Sequence, residues 1–137
     1  MPKTNLYQHI FIDALPGKVW KVLTSCDYIS QYLPEGNVHS HWTEGSVITS
    51  RNETEGAEIL NRGRVLQSVP GVLLKYNLHE ENTESLITVT YELIPAEDGI
   101  ELKFHSEGFI DVDEDYFFRI QQTKLLLQKI KWLAEYA

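Results

Sequence analysis

Leu86-Ile87-Thr88-Val89-Thr90-Tyr91-Glu92-Leu93, followed after a turn at Asp98-Gly99 by Ile100-Glu101-Leu102-Lys103-Phe104-His105, is the stretch that decides the fold. Ile87, Val89, Tyr91 and Leu93 share one parity against Thr88, Thr90 and Glu92. Ile100, Leu102 and Phe104 likewise alternate with Glu101, Lys103 and His105. Successive side chains of a strand point to opposite faces, so the pattern predicts two half-buried strands joined by a tight turn. One dry face and one wet face point to an antiparallel sheet.

The same period of two extends upstream and predicts further strands at 38–43, 46–51, 57–68 and 72–80, with the two above spanning 85–95 and 99–109. Glu44-Gly45 and Pro70-Gly71 supply turn chemistry between them. Gly56, Gly63 and Gly71 are the places where a bulge could shift the parity. Segment 5–13 reads as another strand, with Leu6, Ile10 and Ile12 on one side. Pro16 then suits the first turn of a short helix whose apolar face is Val19, Trp20, Val22 and Leu23. Asp27 can cap a second short helix to about Tyr32, with Pro34 and Gly36 ending it. Downstream, 113–136 is the only long helix, roughly 36 Å at 1.5 Å per residue. Asp111 with Glu114, or Asp113 itself, can cap it. Its acidic residues 113–115 lie at the positive end of the dipole, and Lys124, Lys129 and Lys131 lie toward the negative end.

The chain has 137 residues, which suits a single domain over 1–137 able to bury a core without disulfide or metal staples. At 42% hydrophobic it is not disordered by composition. Twenty acidic and 12 basic residues give a net charge of −8, which argues against nucleic acid or an anionic membrane as partner. A single cysteine, Cys26, favours a reducing cytoplasm. No signal peptide and no membrane span is read in the sequence.

The element order is therefore strand, two short helices, six strands, long helix, an α+β arrangement. A twisted sheet curls, and one helix cannot fill the whole of a curled face. The expectation is an apolar cavity between sheet and helix.

Several segments carry a family resemblance. They are Ile10-x-Ile12-Asp13-Ala14-x-Pro16-x-x-Val19-Trp20-x-x-Leu23-Thr24, Trp42-x-x-Gly45-Ser46, Gly63-x-Val65-Leu66, Pro70-x-x-Leu73-Leu74-x-Tyr76 and 88–93, with the amphipathic helix at the end. In order and spacing the chain resembles the activator of heat shock protein 90 ATPase homologue family of the START-like superfamily, over about residues 6–135. The resemblance implies a helix-grip fold: a curved seven-stranded antiparallel sheet around the C-terminal helix, with two short helices after the first strand. It implies a cavity that takes apolar molecules and, in some members, cyclase activity. The co-chaperone role behind the family name has no motif to carry it here.

The residues expected to bind ligand are Trp42 near the mouth, Ile48, Val65, Leu74, Tyr76, Val89, Tyr91 and Phe104 on the strands, and Tyr116, Ile120, Thr123 and Leu127 on the helix. Ile130 and Ala134 continue that helix stripe. The plainer alternative is that all these side chains pack together with no void. Buried tyrosine hydroxyls need partners, so Tyr76 and Tyr91 either orient a ligand or bond one another or the backbone. Phe118, Leu125 and Trp132 recur every seven residues on the opposite helix face, with Tyr136 one turn on. This stripe is expected to serve a homodimer or another partner, unless the N-terminal strand or the 26–40 segment covers it.

His39 and His41 lack a third ligand for a metal. His9, His79 and His105 read as solvent-face residues, and Cys26 has no base paired with it in the sequence. Arg51, Arg62 or Arg64 would favour an acidic head group if one reached the cavity. There is no nucleophile elbow, P-loop or dinucleotide fingerprint. No catalytic residue, metal or cofactor is therefore assigned. The reading is a binder of a small apolar or amphipathic molecule, with a cyclase- or dehydratase-like enzyme or a protein-interaction module as alternatives.

Overall fold

The computed structural model describes residues 3–32, 38–51, 59–79, 86–110 and 113–136. Strand β1 (Lys3–Ile12) leads into helices α1 (Pro16–Thr24) and α2 (Cys26–Ile29). Strands β2 (Val38–His39), β3 (Val47–Arg51), β4 (Ile59–Val69), β5 (Leu73–His79), β6 (Leu86–Ala96) and β7 (Gly99–Ile110) follow, and the long helix α3 (Asp113–Tyr136) closes the order. The seven strands form one curved antiparallel sheet in the order β1-β7-β6-β5-β4-β3-β2. The first and last strands thus lie side by side, and β2 through β7 form a simple meander. This is the α+β helix-grip architecture, with α3 held against the concave face.

Parity places the core as the sequence reading expects. Val89, Tyr91 and Leu93 of β6 and Ile100, Leu102 and Phe104 of β7 are all buried. Their cross-strand partners carry the dry face sideways: Phe104 pairs with Tyr91, Tyr91 with Leu74, and Tyr76 with both Val65 and Val89. From α3, Leu127, Ile130, Leu133 and Ala134 are buried against the sheet and α1. Two polar ties fix the end of α3. The Lys131 ammonium donates to the Phe11 carbonyl at 2.8 Å, and Glu135 accepts from the Asp13 backbone N–H at 2.8 Å.

Three local expectations are corrected. The strand expected at 38–43 stops at His39, because Trp42 takes φ 56 and Ser46 N–H closes a turn onto Thr43 O. The second short helix starts at Cys26, with only Ser25 between it and α1, and ends at Ile29 rather than near Tyr32. Ser25 flanks it with no side-chain cap bond, and Asp27 sits inside its first turn. Gly71 lies not at a bulge but in the turn between β4 and β5, with φ 76. The bulges fall at Arg62, beside Gly63, at Leu66, and at Gly108, whose φ of 107 no other residue type adopts comfortably. Pro34, Gly36, Gly56 and the expected cap at Asp111 lie outside the described residues, as do the side chains of Asp113 and Glu114. Among the described residues no helix is long and apolar enough to cross a membrane.

Candidate functional site

Between β5, β6 and β7 on one side and the middle of α3 on the other lies a cavity of about 310 Å³. Its floor is aromatic. Tyr91 meets Phe104 edge-on with ring centroids 5.4 Å apart, and Tyr76 lies 6.4 Å from Tyr91. Trp42 packs edge-on against Tyr76, with ring centroids 5.8 Å apart. Cross-strand register puts these rings in line, since Phe104, Tyr91 and Tyr76 sit on three adjacent strands with inward parity. Val89, Leu78 and Ile87 extend the apolar wall, and Thr123 and Leu126 form the helix side. The cavity opens to solvent past Gln122, Leu125 and Lys129, all exposed.

Three tyrosines bring hydroxyls to this space. The Tyr32 hydroxyl donates to the Val22 carbonyl at 3.1 Å, and the Tyr91 hydroxyl is hydrogen-bonded with Tyr76. Burial, then the proximity of Tyr76, pushes Tyr32 well above its ordinary value of 10.0. Tyr91 is raised in the same way by burial, then by Tyr76 and Tyr32, and by its hydrogen bond with Tyr76. Both are neutral donors throughout the physiological range and are poorly suited to accept or release a proton there.

Trp42 carries backbone strain. A bulky residue at φ 56 costs on the order of 1–2 kcal/mol. Its N–H bonds Ser40 Oγ at 3.1 Å, and its carbonyl accepts from Ser68 Oγ at 2.7 Å. These bonds, with the ring against Tyr76, hold the indole in the core.

Of the residues expected to bind, Tyr76, Val89, Tyr91, Phe104 and Thr123 meet around the cavity. Ile48, Val65 and Leu74 do not reach it: they are almost fully buried in the packed core. Trp42 lines a separate surface groove with Trp20 and Ser68. Ile120 and Leu127 turn instead toward a more open groove between α3 and β1, where Gln8 Nε2 donates to the Ile120 carbonyl at 3.1 Å. The reason is lateral placement: α3 packs closest to β1, so its 120/127 side meets Leu6 and Ile10, and the gap is left over β5 and β6. The Tyr116 side chain lies outside those described.

Not among the expected ligand residues are Tyr32, Leu78, Ile87, Ser106 and, on the helix, Arg119, Gln122, Leu126, Lys129 and Leu125, the last expected on the opposite helix face. Parity could have found Leu78, Ile87 and Ser106, which continue the inward sets of Tyr76, Val89 and Phe104. Helical spacing could have found the flank at 119, 122, 126 and 129. Nothing local marks Tyr32.

The arginine beside the cavity is Arg119 of α3, not an arginine of the sheet. Arg62 donates to the His79 carbonyl at 2.9 Å, Arg64 is exposed, and the Arg51 side chain lies outside those described. Cys26 does have a base nearby, since His39 Nε2 lies 3.7 Å from its Sγ. Among the described residues no cluster of three metal-ligating side chains occurs.

The family described as "Activator of Hsp90 ATPase homolog 1-like protein" matches residues 13–135. The chain belongs to this family. Solved structures from several bacteria share its fold. A protein from Mesorhizobium loti is 20% identical with a TM-score of 0.78, over 95% of this chain and 96% of that one. A protein from Cytophaga hutchinsonii is 22% identical with a TM-score of 0.78, over 96% and 94%. An Aha1 protein from Colwellia psychrerythraea, solved in solution as a dimer, is 17% identical with a TM-score of 0.77, over 97% of each chain. At these identities the likeness shows the fold. No curated protein matches the chain.

Proposed function

We propose that this chain binds a small apolar or amphipathic molecule in the cavity between β5–β7 and α3. The cavity itself carries the reading: about 310 Å³, an aromatic and aliphatic floor, and a mouth open to solvent. That volume lies at the lower end of small-molecule sites. Apolar contact supplies affinity at about 25 cal/mol per Å² buried, and the hydroxyls of Tyr76 and Tyr91 set orientation. The cyclase-like alternative is weaker. It needs a group that titrates near neutrality, and the described lining residues include neither carboxylate nor imidazole. A cytoplasmic location belongs to the same proposal and rests on the single cysteine.

N-phenyl-1-naphthylamine, an uncharged fluorescent probe, tests the reading. Saturable one-to-one enhancement is expected, and Val89→Trp and Thr123→Trp should each abolish it with an unchanged circular dichroism spectrum. Thr123 is only half-buried, so its variant folds even if the strand variant does not. A signal that does not saturate, or that survives Thr123→Trp, overturns the proposal.

A second reading concerns self-association. Phe118, Leu125 and Trp132 are 58–59% exposed and Tyr136 73% exposed, a stripe along α3 that meets the cavity mouth at Leu125. Trp132 and Tyr136 lie 6.1 Å apart. With a dimeric structural neighbour in Colwellia, a second copy of this chain is the proposed occupant of that stripe. Sedimentation should show a dimer that Trp132→Glu dissociates; a monomeric wild type at high concentration removes this reading.

A further inference from the structure

Taking the cavity as a binding site, we propose that its ligand is an anion: an apolar body bearing a carboxylate or similar head group, held at the α3 side of the mouth. The cavity's described lining residues include two cations, Arg119 and Lys129, and no aspartate or glutamate.

Arg119, Gln122, Thr123 and Lys129 occupy one flank of α3 at helical spacing. The cations therefore stand about 15 Å apart along the helix, one at each end of the opening. Arg119 is half-buried and offers a planar fork of donors suited to a carboxylate. It already has a partner within the protein, so a head group shares its five donors. Lys129 is exposed and adds attraction at longer range. On the sheet side Ser106 is buried and lines the same space. Among the described lining residues every polar side chain can donate a hydrogen bond, and none is a carboxylate that would repel an anion.

The test compares two probes of nearly equal apolar bulk, 2-naphthoate and its methyl ester, by titration calorimetry on the intact protein. The carboxylate should bind about tenfold tighter, as one charge-assisted hydrogen bond allows. Arg119→Gln and Lys129→Gln should each reduce that preference, read as the ratio of the two affinities within each variant. Added salt should narrow it in the wild type. Lys129 is exposed, so its variant keeps the test open if Arg119→Gln fails to fold. Equal binding of the two probes, or tighter binding of the ester, overturns the anion assignment and leaves the cavity reading standing. If neither probe binds, the cavity reading falls, and this one with it.

Discussion

Phe104 and Leu102 sit two residues apart on β7, both inward, one beside the cavity and one in packed core. Truncating each to alanine measures the difference. Leu102 is 0% exposed, wedged between Ile10 of β1 and Leu93 of β6. Leu102→Ala loses about 0.8 kcal/mol per buried methylene and opens a new hole, for a total of about 4 kcal/mol. Phe104 loses more carbon, but one side of its ring already faces empty space. Its truncation enlarges an existing void and forfeits one edge-on contact with Tyr91, so about 3 kcal/mol is expected. A phenylalanine packed on every side would instead cost up to about 5 kcal/mol, more than the leucine. Urea denaturation with a shared m-value reads both losses. If Phe104→Ala proves the costlier by about 1 kcal/mol, the ring is fully packed and the cavity is not where the geometry puts it.

Three further outcomes rest on single contacts in the fold. A methyl at Gly63 would stand 1.9 Å from the Asn77 carbonyl oxygen, backbone that the β4–β5 ladder holds in place. Gly63→Ala should cost about 2–3 kcal/mol and lower the melting temperature by roughly 6–10 °C, and an unchanged Tm contradicts this. Tyr32 and Tyr91 titrate higher in the folded than in the unfolded chain, so the stability they contribute is complete below pH 10 and is lost as pH rises through their raised values. Two of the seven tyrosines should therefore ionise only on alkaline unfolding. Smooth titration of all seven with a native dichroism spectrum refutes the burial argument. Glu135 is held below its ordinary 4.5 by its bond with Lys131, then by the Asp13 N–H. Its contribution is present above that value and is lost as pH falls through the lowered one. Glu135→Gln should flatten the acid limb of the stability profile, and an identical limb in the variant speaks against it.

Most of the architecture was legible because it rests on short-range regularities. Parity alone named the buried sides of β6 and β7, and a run of helical spacing without breakers named α3 almost to the residue. The exposed stripe of Phe118, Leu125, Trp132 and Tyr136 was legible for the same reason. The site was less so, because it depends on where α3 lies across the sheet. That position is set by contacts far apart in sequence, such as Lys131 to Phe11 and Glu135 to Asp13. Hence Ile120 and Leu127, inward by the helical wheel, face β1, while Arg119 and Lys129 reach the cavity. Tyr32 and the approach of His39 to Cys26 are tertiary facts with no local trace. The left-handed Trp42 was hidden because only the surrounding bonds make such a conformation affordable to a bulky side chain.

The central claim, that the space between sheet and helix receives a guest, is tested most directly by nuclear Overhauser contacts from N-phenyl-1-naphthylamine to the protein. The account predicts contacts to the ring protons of Tyr76, Tyr91 and Phe104 and to the methyl group of Thr123. Contacts confined to Phe118, Trp132 and Tyr136, on the outer face of α3, would contradict it.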